Sequence, residues 1–263
     1  MQMSNKEIVL NLKEKLHQNI VGTHISMTNS MVSEIFGRLG YDYIWIDSEH
    51  SENNYTSIRN HITAVNAGGT PAIVRVSQND FNHVKRILEM GPQGIVFPMV
   101  NSVKDAEDAV RFSTYPPIGI RGFGPLRAVN YGIDDMSEYI RTADRNLCRF
   151  IQIESVQAID NLEEIIKIDM IDGYIFGPCD LSGTLGELGN IYGEKTQNCI
   201  KKAIEILKKH NKTIGISLGT TDKNELQFWH DLGINMISSG TDYDYIMRGA
   251  RENLRNFREC IYK

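Results

Sequence analysis

The amino-acid sequence predicts a (β/α)8 barrel, the α/β fold in which eight parallel strands alternate with helices around a closed ring. Eight short apolar runs rich in β-branched residues recur along the chain, and amphipathic segments separate them. The length of 263 residues also suits one barrel, which takes about 250 residues. The alternative is a doubly wound open sheet, which has fewer strands and often a glycine-rich phosphate loop after the first. Segment 26–30 (SMTNS) follows the first predicted strand and contains no glycine, which favours the barrel.

The predicted strands are bounded by Gly, Pro, Asn or Asp, as buried parallel strands are. They cover residues 20–25, 43–47, 72–76, 94–100, 149–154, 173–177, 213–217 and 236–240. Helices are predicted over residues 82–90, 105–112, 156–168 and 196–209, because apolar residues recur there on one face. We expect residues 1–263 to form a single barrel domain, with residues 242–263 as a C-terminal helical extension.

The amino-acid composition excludes several classes of function. The chain is 41% hydrophobic and 23% charged, as globular proteins are, and its net charge of −5 argues against general nucleic-acid binding. No apolar run approaches the roughly 20 residues of a membrane span, and the N-terminus lacks a signal-peptide pattern. The four cysteines show no metal-ligand spacing and fit free thiols in a reducing compartment. We therefore expect a soluble cytoplasmic protein without nucleic-acid or membrane partners.

Charged and polar residues gather at the C-terminal ends of the predicted strands, where barrel enzymes build their sites. In strand order these ends hold Asp47, Glu49 and His50, then Arg75, then Gln152 and Glu154, then Gly177, Cys179 and Asp180, and finally Ser217 and Ser238. Residues 115–130 form a long Gly- and Pro-rich stretch after the fourth strand, and a loop of this kind is usually functional or mobile.

Glu154 and Asp180 end neighbouring strands, so they should lie close together. Two adjacent carboxylates repel each other unless a cation lies between them or one is protonated. A hard divalent ion such as Mg²⁺ or Mn²⁺ suits oxygen ligands. Two alternatives stay open: the acid and base carboxylates of a glycosidase, or carboxylates that pair separately with basic groups or cap a helix.

Other candidates each have a functional and a structural interpretation. Arg75 ends a buried strand, and its guanidinium needs either an anionic substrate or a structural salt bridge. His50 stands beside two acidic residues that would raise its basicity, and His24 lies in the first strand, where it could point into the barrel. Cys179 has no histidine nearby in sequence and fits a packing residue better than a nucleophile. No lysine ends a predicted strand, so a Schiff-base mechanism lacks its nucleophile.

Six motifs in order, over roughly residues 20–250, resemble the HpcH/HpaI class II pyruvate-aldolase family. They are Asp47-Ser48-Glu49-His50, Val74-Arg75, Pro98-Met99-Val100, Tyr115-Pro116-Pro117 with Gly119-Ile120-Arg121-Gly122, Gln152-Ile153-Glu154 and Gly177-Pro178-Cys179-Asp180-Leu181-Ser182. The resemblance implies a TIM barrel of the phosphoenolpyruvate/pyruvate-binding type, with its last helix exchanged between subunits of a homohexamer, a trimer of dimers. It also implies a lyase (EC 4.1.2.-) that reversibly cleaves a 4-hydroxy-2-oxo acid to pyruvate and an aldehyde.

By the same resemblance, Glu154 and Asp180 would hold Mg²⁺, Mn²⁺ or Co²⁺, with no organic cofactor. Arg75 would stabilise the developing enolate oxygen, and Asp47 would orient a metal-bound water. His50 would act as the base on the 4-hydroxyl group, with Glu89 as its acidic partner.

Gln152 would contact the substrate, and the backbone at Gly177 and Cys179, beside Asp180, would bind the pyruvate carboxylate. The chain departs from the family pattern at Glu89, where many relatives have Asp, and at Cys179, where Ala or Ser is usual. Segment 123–126 (FGPL) also differs, which predicts a reshaped aldehyde pocket. The alternatives are an oxaloacetate decarboxylase or CoA-ester lyase of the same superfamily, and a catalytically silent barrel that binds a metabolite.

Overall fold

The computed structural model describes residue 8 and residues 12–262, and in them eight parallel strands close into a barrel. The strands are β1 Ile20–Ile25, β2 Tyr43–Asp47, β3 Ala72–Arg75, β4 Gly94–Phe97, β5 Cys148–Ile153, β6 Gly173–Phe176, β7 Thr213–Leu218 and β8 Met236–Thr241. Each strand pairs in parallel with the next, and β8 pairs with β1. The predicted TIM barrel is therefore confirmed, and the open-sheet alternative is excluded.

Helices follow the strands along the chain. They are α1 Ser30–Gly37, α2 Tyr55–Ala67, α3 Phe81–Glu89, α4 Val103–Ser113, α5 Met136–Thr142, α6 Val156–Asp160, α7 Leu162–Ile165, α8 Pro178–Thr184, α9 Glu194–Lys209, α10 Lys223–Asp231 and α11 Asp242–Ile261, with a 3-10 segment at Arg127–Gly132. The single helix predicted over residues 156–168 is wrong, because a turn at Asn161 divides it into two short helices and the second ends at Ile165. The Asn161 side chain donates to the Asn101 carbonyl at this turn. Within the described residues, no helix has the length and apolar character that crossing a membrane requires.

Strand alternation separates two apolar layers and positions the polar residues. Tyr43 and Trp45 of β2 pack inside the barrel, whereas Ile44 and Ile46 pack against the surrounding helices. Because side chains alternate along a strand, Asp47 continues the inward series of Tyr43 and Trp45. The same alternation applies to the other strands, and it directs the polar residues at their C-terminal ends into the barrel mouth.

Candidate active site

Arg75 lies at the centre of the polar network in the barrel mouth. Its Nε and Nη2 atoms donate to the two carboxylate oxygens of Asp47 at 2.9 and 2.6 Å. Its Nη1 atom lies 2.8 Å from Glu49 Oε2 and 3.4 Å from Gln152 Oε1. Burial alone would raise the pKa of Asp47, but this guanidinium holds it below its usual value. Asp47 therefore orients and neutralises Arg75, while its expected role in orienting a metal-bound water stays a prediction.

Gln152 connects the arginine to the first of the two expected metal ligands. It is buried, accepts from Arg75 through Oε1, and donates through Nε2 to Glu154 Oε2 at 2.9 Å. Both ends of its amide are thus engaged within the protein. The structure gives Gln152 a bridging position, and its expected contact with the substrate stays a prediction.

Glu154 is buried, and its second carboxylate oxygen accepts a 2.6 Å hydrogen bond from the backbone N–H of Met99. Met99 follows β4 with φ of 53°, a left-handed conformation that is uncommon for a residue with a side chain. Burial raises the pKa of Glu154 to about 7, and the negative charges of Glu49 and Asp180 add to the rise. The negative form of this carboxylate is therefore disfavoured, although the Met99 N–H and Arg75 partly offset the effect.

Glu49 is a site residue that the sequence analysis noted only as a neighbour of His50. Burial raises its pKa to about 7, Arg75 opposes the rise, and Asp47 and Asp180 add to it. Three carboxylates of the mouth thus influence one another: Glu49, Glu154 and Asp180. The signal in the sequence was the acidic residue two positions after Asp47, but only the fold shows that it turns towards Arg75.

Gly177 allows β6 to approach Glu154 closely. A Cβ atom at this position would lie 2.6 Å from Glu154 Oε2, so any other residue would displace the carboxylate. The Gly177 N–H donates to the Ile153 carbonyl at 3.4 Å, while Cys179 and Asp180 occupy the exposed first turn of α8 directly after it.

The donors around Glu154 fit a divalent cation. They are the hard carboxylate oxygens of Glu154, whose pKa is raised, and of the exposed Asp180, whose negative charge acts on Glu154. In the part of the chain that the structure describes, no three His, Cys, Asp or Glu side chains form a group that could enclose a metal ion. A cation here would have two protein carboxylates as ligands, and water or substrate oxygens would complete its coordination, as is usual for Mg²⁺.

The predicted contact between His50 and Glu89 is not present in the chain. Glu89 ends α3 and lies 3.3 Å from Arg121 Nη2, which also approaches the Tyr139 hydroxyl at 3.2 Å. His50 has its side chain 66% exposed, and its Nε2 lies 3.9 Å from Glu49 Oε2. A helix after a barrel strand runs back towards the opposite end of the barrel, so the end of α3 lies away from the mouth that holds His50.

His24 and Ser217 form a second polar pair, and the charges of Arg75 and Asp47 act on the pKa of His24. His24 of β1 contacts the Gly240 carbonyl through Nδ1 at 2.8 Å and Ser217 Oγ through Nε2 at 3.0 Å. Burial lowers the pKa of His24 to about 4, so its ring is neutral near pH 7. The sequence suggested that His24 could point inwards, but it gave no sign of the link to Ser217.

The fold and this site define a protein of the (β/α)8 barrel class whose mouth holds one buried arginine among clustered carboxylates. The chain belongs to the HpcH/HpaI aldolase/citrate lyase family, whose sequence model matches residues 21–249. It is therefore a lyase of the class II aldolase type, and the expectation of aldol cleavage that releases pyruvate is confirmed.

Similar proteins include two with aldolase names. A hydroxypyruvate/pyruvate aldolase from Roseobacter denitrificans is 34% identical over 89% of this chain and 91% of its own length. A 4-hydroxy-2-oxo-heptane-1,7-dioate aldolase from Klebsiella pneumoniae is 32% identical over 88% of this chain and 86% of its own. The crystal structure of an HpcH/HpaI aldolase/citrate lyase family protein from Burkholderia cenocepacia superimposes with a TM-score of 0.88 at 28% identity, covering 94% of this chain and 98% of that one.

Proposed function

We propose that this enzyme reversibly cleaves a 4-hydroxy-2-oxo acid to pyruvate and an aldehyde with Mg²⁺, Mn²⁺ or Co²⁺ held by Glu154 and Asp180. The observation that carries the proposal is the placement of the buried Glu154 carboxylate at the end of β5, against Gly177 and close enough to Glu49 and Asp180 for their negative charges to act on it. A cation between the carboxylates would relieve their repulsion. When bound, the ion supplies Lewis-acid polarisation of the 2-oxo group.

Arg75 supplies a fixed positive charge at the same centre. Cleavage of the C3–C4 bond leaves its electron pair on the pyruvate half as an enolate, so negative charge develops on the 2-oxo oxygen. Asp47, Glu49 and Gln152 hold the guanidinium before substrate arrives, so it needs no reorganisation as charge develops.

His50 is the proposed base. Its exposed ring at the mouth can accept the proton of the substrate 4-hydroxyl as the C3–C4 bond breaks and the aldehyde carbonyl forms. Glu49, at 3.9 Å, replaces Glu89 as its acidic neighbour within the chain. The backbone at Gly177 and Cys179, at the start of α8, remains the proposed binding site for the substrate carboxylate.

The test is pyruvate release from a panel of 4-hydroxy-2-oxo acids after chelation and after addition of each metal. We expect activity only with added ion, and Glu154→Gln should lose it at all metal concentrations. Exposed Glu163→Gln on α7 serves as the matched control and should retain activity. No pyruvate release from any substrate with any of the three ions would contradict the proposal.

The proposed assembly is a cytoplasmic homohexamer, a trimer of dimers that exchanges the last helix. Support comes from α11, a 20-residue helix in which only Asp242 is buried, while Ile246, Met247, Leu254 and Phe257 are exposed. The four cysteines are free, as in a reducing compartment. Light scattering coupled to gel filtration should give six chains, and cell fractionation should place them in the cytosol.

A further inference from the structure

His24 and Ser217 lie apart from the proposed metal ligands around the barrel ring. Glu154 and Asp180 follow β5 and β6, whereas His24 and Ser217 belong to β1 and β7 and contact each other across β8. His24 is buried at 6% exposure, while Ser217 is partly exposed. A substrate that enters the mouth therefore meets Ser217 first, with His24 behind it.

The hydrogen bonds fix the direction of the Ser217 hydroxyl. The Gly240 carbonyl can only accept, so Nδ1 of His24 carries the ring proton in their 2.8 Å contact. A neutral imidazole has one N–H, and hence Nε2 is an acceptor. The Ser217 hydroxyl must then donate its only hydrogen to Nε2 at 3.0 Å. Ser217 Oγ consequently presents only lone pairs to the barrel mouth.

We propose that Ser217, oriented by His24, is a hydrogen-bond acceptor that selects aldehydes bearing a hydroxyl group near the carbonyl. This inference rests on the proposed aldolase function and names its second substrate class. Ser217 is the residue that touches substrate, and His24 acts through it as a positioning residue. A hydroxyl donor satisfies the lone pairs of Oγ, an alkyl group leaves them unpaired, and a carboxylate brings its own lone pairs against them.

The position around the ring assigns this pair to the aldehyde half of the substrate. In the proposed function, Glu154 and Asp180 after β5 and β6, together with Arg75 of β3, hold the pyruvate half of the substrate. The arc of β7, β8 and β1 carries none of these groups, so we assign it to the carbon atoms beyond C3. Arg75 also lies close enough to His24 for its charge to lower the pKa of the ring, so both halves share one mouth.

The experiment measures aldol addition of pyruvate to two aldehydes matched in size and to one larger, acidic aldehyde. Glycolaldehyde and propionaldehyde differ by a hydroxyl in place of a methyl group, and succinic semialdehyde adds a carboxylate. We expect kcat/KM to favour glycolaldehyde over propionaldehyde by about tenfold or more, with succinic semialdehyde also disfavoured. Ser217→Ala and His24→Phe should each bring the glycolaldehyde-to-propionaldehyde ratio close to one, and Ser217→Thr should restore it.

Ser238→Ala is the matched control. Ser238 faces the barrel interior and bonds to the Tyr43 hydroxyl at 2.7 Å, so its loss should leave the aldehyde ratio unchanged. Metal-dependent exchange of the pyruvate methyl protons with deuterium, followed by NMR, reports the enolate step without any aldehyde. Exchange with an unchanged ratio in folded Ser217→Ala overturns the subsite alone. Absence of exchange in the wild-type enzyme overturns the aldolase function, and the subsite with it.

Discussion

Replacing Arg75 with methionine tests the central feature of the mouth. Methionine keeps much of the side-chain volume but removes the charge and every donor. It thereby leaves Asp47 without the two hydrogen bonds of 2.9 and 2.6 Å, and Glu49 without its 2.8 Å ion pair. Removing one partner of a buried pair costs about 3–5 kcal/mol of unfolding free energy, because the remaining charge stays buried and unpaired.

Two magnitudes follow from these contacts. Urea unfolding at pH 7 should show a loss of about 3–5 kcal/mol for Arg75→Met, and Asp47→Asn added to it should recover about 1–3 kcal/mol. The kcat for pyruvate release should fall about 10²–10³-fold in the folded single variant, since one positive donor at the developing oxyanion is lost. The double variant should recover stability without recovering kcat.

Arg149→Met is the matched control for this prediction. Arg149 is also buried, but it points out of the barrel at the start of β5 and bonds to Ser113 and the Asp144 carbonyl. Its loss should reduce unfolding free energy by about 1–3 kcal/mol while kcat per folded enzyme stays within about twofold. A folded Arg75→Met enzyme with unchanged kcat would refute the reasoning about the enolate charge.

Three further predictions concern metal binding and acid stability. Gly177→Ala should weaken Mn²⁺ affinity by about 10–100-fold in an EPR titration, because the new Cβ displaces Glu154. Gly219→Ala is the control and should keep the affinity, because its Cβ would meet nothing within 4 Å. Equal Mn²⁺ affinities in the two variants would contradict the argument that Gly177 is needed for close approach. Met99→Pro removes the N–H that bonds Glu154 Oε1 at 2.6 Å and cannot adopt the φ of 53°, so both Mn²⁺ affinity and unfolding free energy should fall. Met99→Gly keeps the N–H and the positive φ and should retain the affinity; equal affinities in the two variants would show that this contact does not position the ligand. Burial lowers the pKa of His61 from 6.5 to about 4, so on acidification the unfolded chain takes up this proton before the folded chain does. The unfolding free energy should therefore fall by about 3 kcal/mol as the pH drops from 6.5 to 4. Urea unfolding of His61→Gln should lack that share of the pH slope, and an identical slope would rule out His61 as its source.

The barrel was predictable because each strand is a short buried run of β-branched residues. Only a few folds are compatible with such runs alternating with helices. Strand ends were less predictable. The fourth strand was expected to reach residue 100 but ends at Phe97, since Pro98 has no N–H for the ladder and Met99 turns to positive φ. Apolar character alone does not reveal such a turn.

The candidate site was predictable only in part. Strand-end position brought Arg75, Gln152 and Glu154 to one mouth, because the carboxyl ends of parallel strands share an edge. The partners of these groups depend on loop and rotamer geometry, which the sequence does not specify. For this reason the sequence did not reveal that Glu49 pairs with Arg75 or that Glu89 pairs with Arg121.

The chain of hydrogen bonds from Asp47 through Arg75 and Gln152 to Glu154 also bears on how this sequence can change over generations. A substitution at any one of the four leaves a buried partner unsatisfied, so neutral drift at these positions requires compensated, near-simultaneous changes. Exchange of Ser217 unpairs one nitrogen of the neutral His24 ring and no charged group, so this position tolerates single substitutions more readily. Descendants of this enzyme would therefore diversify in the aldehyde they accept well before they depart from enolate chemistry.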